Sequence, residues 1–75
     1  MLDSEKLRKV IGDTVIGFDV SSLKDTDVFT ESGIDSLDHM NLLLAIDDEY
    51  GLNIPDGDVD QCTSIQAIID YFEKK

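Results

Sequence analysis

A chain of 75 residues has room for one small domain, and folding at this size buries only about 60% of the surface the unfolded chain exposes. Its net charge of −11 argues against nucleic acid as a partner, because phosphate contacts need cations. The lone Cys62 leaves no disulfide framework and fits a reducing compartment, no apolar run is long enough to span a membrane, and Met1-Leu2-Asp3-Ser4-Glu5 lacks the regions of a signal peptide. The expectation is a soluble, cytoplasmic monomer, not membrane-embedded, with a single domain over residues 1–75.

Four helical stretches follow in order. Leu7, Val10, Ile11, Val15 and Phe18 recur at spacings of three and four, which makes one apolar face; Asp3 or Ser4 can cap the start and Gly17 the end. A long connection follows, roughly 18–35, and loops over about 12–15 residues are uncommon in compact domains and often functional. Leu23, Val28, Phe29 and Ile34 are placed to pin it to the helices, and Gly33 lets the chain turn before the next one.

The second helix is predicted over Ser36 to Tyr50, with Asp35 at the N-cap, Asp38 adding charge to the first turn and Gly51 as the stop. Its apolar residues form two stripes. Leu42, Leu43, Ile46 and Tyr50, with His39 beside them, suffice to seat the helix on a core. Leu37, Met40 and Leu44 form a second stripe that either packs a loop or stays available to a partner. After Pro55, Asp56 can cap a short helix through Gln61. The last helix begins with a capping box, Thr63 at the N-cap and Gln66 at N3, and Ile65, Ile68, Ile69 and Phe72 give it a core face. No segment alternates as a half-buried strand does, so the fold class is all-α: a small bundle of three main helices plus one short helix, with a long loop between the first and second.

Charge is distributed unevenly. The six basic residues are Lys6, Arg8, Lys9, Lys24, Lys74 and Lys75, and from Asp25 to Glu73 there are 13 acids with no Lys or Arg. A basic protein is the natural counterpart of such a surface, and the field would speed their encounter.

Little in the chain can do catalysis. Ser36 as a hydrolytic nucleophile needs a base within reach; the single histidine, His39, lies almost a full turn on and points toward the core stripe. His39 is read as a packing residue, not a metal ligand. Asp56-Gly57-Asp58-Val59-Asp60 has the look of a calcium loop, but positions six and twelve hold Gln61 and Ala67 in place of the required Gly and Glu. Ser36 in the first turn of an apolar helix is nonetheless well placed to bear a phosphate, which the free backbone N–H groups and helix dipole favour.

The segment Gly33-Ile34-Asp35-Ser36-Leu37-Asp38 resembles the acyl carrier proteins of bacterial fatty-acid and polyketide synthesis. The resemblance continues through Asp47-Asp48-Glu49-Tyr50, Gly51 to Asp56 and Thr63 to Phe72, nearly the whole chain. It implies a free-standing carrier and not an enzyme, with 4′-phosphopantetheine attached covalently at Ser36 and acyl groups held as thioesters on its thiol. It further implies a docking face of Asp35, Leu37, Asp38, Met40, Leu44, Asp47 and Asp48, and an acyl pocket lined by Ile46, Ile54, Val59 and Ile68. The implied partners are a phosphopantetheinyl transferase and acyl-transferring or acyl-modifying enzymes with basic surfaces. Asn41 stands where fatty-acid carriers usually have glutamate, and His39 and Met40 also depart from the common pattern. Those departures open a secondary, lipid-modifying or aminoacyl pathway, a D-alanyl carrier included. The reading from another class is an acidic module that binds a basic partner with no attached group.

Overall fold

A computed structural model describes residues 2–74; Met1 and Lys75, one of the six basic residues, lie outside the described residues. The three main helices are α1 (Ser4–Thr14), α2 (Ser36–Tyr50) and α3 (Ile65–Glu73), joined by segments that carry the short 3-10 helices Val20–Ser22, Phe29–Glu31 and Asp56–Gln61. No strand occurs among the described residues. The all-α architecture expected from the sequence is the one observed.

α1 packs against both α2 and α3. It delivers Leu7, Val10 and Ile11 to the core, with Val15 just beyond its end. Asp3 is the cap and accepts from the Lys6 N–H, whereas Ser4 turns its hydroxyl to Asp25. The helix stops at Thr14, earlier than Gly17, so Phe18 is not on its face. Gly17 instead adopts φ 84 in the turn that follows, a left-handed backbone that a side chain disfavours.

The long connection is structured by contacts distant in sequence. Leu23, Phe29 and Ile34 are buried in the same core as the helices. The Phe29 N–H donates to the Thr63 carbonyl at 2.8 Å, and the Gln66 N–H to the Asp25 carbonyl at 2.9 Å, which ties the connection to the entry of α3. Arg8 donates through Nη2 to Asp25 Oδ1 at 2.6 Å and through Nη1 to the Val20 carbonyl at 3.0 Å. The Ser4 hydroxyl donates to the same Asp25 oxygen at 2.8 Å. The Ser4 hydrogen bond first, and then Arg8, hold the Asp25 carboxyl below its ordinary pKa.

The last third departs from expectation in its caps. Asp56–Gln61 is a 3-10 helix that follows Pro55 and has no side-chain cap, so Asp56 does not cap it. In α3 the N-cap is Ser64, not Thr63; its hydroxyl accepts from the Ala67 N–H at 3.0 Å. That register moves Gln66 out of N3, and its amide bonds Asp70 at 3.0 Å instead of closing a capping box. The buried face of α3 is Ile65, Ile68 and Tyr71, while Ile69 and Phe72 are only half-buried at the margin of the core. Tyr71 lies T-shaped to Phe72, with ring centroids 5.1 Å apart, and its hydroxyl reaches Asp58.

Candidate functional site

α2 begins where its local chemistry dictates. Gly33 turns the chain at φ 100, and Ile34 then drops into the core, fully buried. Asp35 is extended and accepts the Asp38 N–H on Oδ1 at 2.8 Å, while its carbonyl accepts the His39 N–H at 2.9 Å. Ser36 is therefore the first helical residue, and it is exposed. The opening N–H groups of a helix have no acceptor within it. Here Asp35 occupies that of Asp38, and among the described residues nothing accepts those of Ser36 and Leu37.

Ser36 also differs from the other five serines. Ser4 bonds Asp25, Ser21 bonds Asp19, Ser22 bonds the Asp19 carbonyl, Ser32 bonds the Val28 carbonyl and Ser64 caps α3. Of the six serines only Ser36 has a hydroxyl with no hydrogen bond among the described residues, and it is exposed at the N-terminus of α2. His39 cannot activate it as a base. The imidazole is buried against Phe29, with ring centroids 5.5 Å apart, and its Nε2–H donates to the Cys62 carbonyl at 2.7 Å. The packing role expected for His39 is thus joined by a strut between α2 and the start of the last segment.

Below Ser36 the outer face of α2 shows both apolar and acidic groups. Leu37, Met40 and Leu44 are 68%, 38% and 60% exposed. Asp35 and Asp48 are exposed beside them, and Asp38 and Asp47 are half-exposed. A groove of about 310 Å³ opens alongside, with Met40, Leu43, Leu44 and Asp47 of α2 on one wall and Asn53 to Asp56 and Val59 on the other. Of the four pocket residues anticipated, Ile54 and Val59 line this groove; Ile46 and Ile68 are instead sealed in the core at 0% and 1% exposure. Met40, Leu43 and Leu44 are lining residues that sequence reasoning placed elsewhere, and their i, i+3, i+4 spacing was the available signal. No helix among the described residues is long and apolar enough to cross a membrane.

Residues 5–72 match the family described as "Phosphopantetheine attachment site". The match covers most of the chain, which therefore belongs to that family of carriers, whose members hold 4′-phosphopantetheine covalently on a serine. Among curated proteins, the chain is 41% identical over 73 residues to "Acyl carrier protein, mitochondrial" of Dictyostelium discoideum, an alignment that covers 88% of this chain. The chain spans 61% of that relative's length. The relative's name also corrects the cytoplasmic expectation: a lone cysteine speaks for a reducing environment, and the cytosol is not the only one.

Proposed function

We propose that the chain is an acyl carrier with Ser36 as the attachment point of 4′-phosphopantetheine, serving fatty-acid synthesis or a related pathway. The observation that carries this reading is the Ser36 hydroxyl, exposed and unbonded at the N-terminus of α2 beside two N–H groups with no acceptor. Those N–H groups and the helix dipole favour the phosphodiester that attachment creates. The bound group supplies a thiol at the end of a flexible arm, where an acyl chain is held as a thioester. Tethering presents that cargo to successive enzymes at high effective concentration.

The chain's own residues hold and direct. Asp35 fixes the first turn, and with it the direction of the Ser36 hydroxyl. Asp35, Asp38, Asp47 and Asp48 steer a phosphopantetheinyl transferase and acyl-handling enzymes with basic surfaces. Leu37, Met40 and Leu44 give those partners apolar contact once docked. Ile54 and Val59, with Met40, Leu43 and Leu44 of the α2 wall, shelter the acyl chain in the groove, whose lining also carries Asp47, Asn53 and Asp56. Family membership and an unbonded serine both weigh against an acidic module without a prosthetic group. The chain acts as one domain and as a monomer, and the mitochondrial name of the relative supports a setting in that organelle.

Intact mass before and after incubation with coenzyme A and a broad-specificity phosphopantetheinyl transferase tests the assignment. Wild type gains one phosphopantetheinyl unit and Ser36→Ala gains none. A gain in Ser36→Ala moves the site to another residue; no gain in apo wild type ends the carrier reading for that transferase class.

A further inference from the structure

The groove wall that faces α2 is lightly built. Asp56–Gln61 is a six-residue 3-10 helix with no buried residue and no side-chain cap at its start. Hydrogen bonds in a 3-10 helix have poorer geometry than those of an α-helix, so such runs are seldom long. The segment packs on α3. Side-chain hydrogen bonds anchor it at two points among the described residues. The Tyr71 hydroxyl donates to Asp58 Oδ2 at 2.5 Å, and His39 Nε2 donates to the carbonyl of Cys62, the residue that ends the segment, at 2.7 Å. Val59 lies between these two anchors in the chain and lines the groove. Tyr71 does not line it; Tyr71 lines a second cavity with Gln61 and Ala67.

We infer that Tyr71 is a positioning residue for acyl-chain selectivity: by clasping Asp58 it holds the Asp56–Gln61 wall against α3 and sets the groove's width at Val59. The inference rests on the reading that the groove shelters the acyl chain. A wall held from behind admits some chain lengths better than others, whereas a wall free to shift accepts them more equally. Core packing holds this wall only lightly, since none of its six residues is buried and Val59 packs against the core half-covered, so the selectivity depends on its anchors.

The test uses the full chain loaded at Ser36 with butanoyl, octanoyl or dodecanoyl phosphopantetheine, and reads the rate at which hydroxylamine cleaves each thioester. The same thioesters on free pantetheine set the unprotected rate. Wild type should protect the three chains unequally. In Tyr71→Phe, which keeps the ring, the ratio between best- and worst-protected chains should fall about fivefold, the factor set by one lost hydrogen bond. Asp58→Ala removes the same clasp from the exposed side and should do likewise, and the double variant should add nothing further. Asp58→Asn retains an acceptor oxygen and should keep the wild-type preference. Variants whose rates all change in proportion, or single effects that add in the double variant, overturn the inference and leave the sheltering reading intact. A wild type that protects all chains alike overturns the inference alone, and one that protects no chain overturns both.

Discussion

α2 and α3 are built from similar residues and do opposite things with them. α3 turns Ile65, Ile68 and Tyr71 inward and leaves its other large apolar groups half-covered against the core margin. α2 buries Leu42, Leu43 and Ile46 just as firmly, yet holds Leu37, Met40 and Leu44 out in water. Apolar groups gathered on one exposed face mark interaction surfaces. The acids around them give that face a sign, and no Lys or Arg between Asp25 and Glu73 offsets it. One helix thus packs along a single face, while the other packs on one side and leaves an apolar, acid-bordered face exposed on the other.

The sharpest way to break this comparison lies within α2 itself. Leu42 is fully buried and Leu44 is 60% exposed, two residues apart on the same helix. Leu42→Ala should destabilise the fold by about 2–5 kcal/mol, the usual cost of emptying a core leucine site. Leu44→Ala should stay within about 0.5 kcal/mol of wild type, as surface changes do. Thermal melts of the two variants check this, and equal losses would mean that Leu44 belongs to the core.

Charge reversal sharpens the other half. Asp38→Lys with Asp47→Lys should lower kcat/KM for loading by a phosphopantetheinyl transferase about tenfold at low salt, within the range electrostatic steering covers. The deficit should shrink as salt rises and screens the exposed charges. Folding should change little, because the N-cap bond uses the backbone N–H of Asp38 and the carboxylate of Asp35. An unchanged loading rate at low salt would remove the acids of α2 from docking.

How much of this was legible in the sequence depended on how local its cause was. The bounds of α2 matched expectation because Asp35 and Gly51 act within one turn of the ends they define. The position of Ser36 in the first turn was legible for the same reason. The start of α3 was ambiguous by one residue: Thr63 and Ser64 both offer a hydroxyl, and Gln66 made a capping box look complete before Asp70 took its amide. Its buried face was rotated: at about 100° per residue Tyr71 lies close to Ile68 but almost opposite Ile69, so the covered stripe is Ile65, Ile68 and Tyr71, and only the packing partner decides which edge of the apolar arc is buried. The clasps of Tyr71 on Asp58 and of His39 on Cys62 join residues 13 and 23 apart, beyond any periodic signal. Ile46 and Ile68 missed the groove because apolar character says that a side chain avoids water, not whether a wall or a core takes it.

The smallest expected effect belongs to the clamp that joins α1 to the connection before α2. Asp25 accepts from Ser4 and Arg8 at a site that remains 39% exposed, so water weakens the ion pair. Exposed pairs of this kind contribute about 0.2–1 kcal/mol. Asp25→Asn keeps the backbone carbonyl that accepts from Gln66 and loses only the charge. Because the folded carboxyl titrates below its ordinary value of 3.8, its stabilisation is fully present above that pH and disappears as pH falls through the lower folded value. Wild type should therefore melt slightly above Asp25→Asn at neutral pH, by an amount that added salt reduces. The two curves should converge in acid, once Asp25 is protonated in wild type too. A gap that persisted there would come from the altered hydrogen-bond geometry of the amide, and would assign the clamp to shape and not to charge.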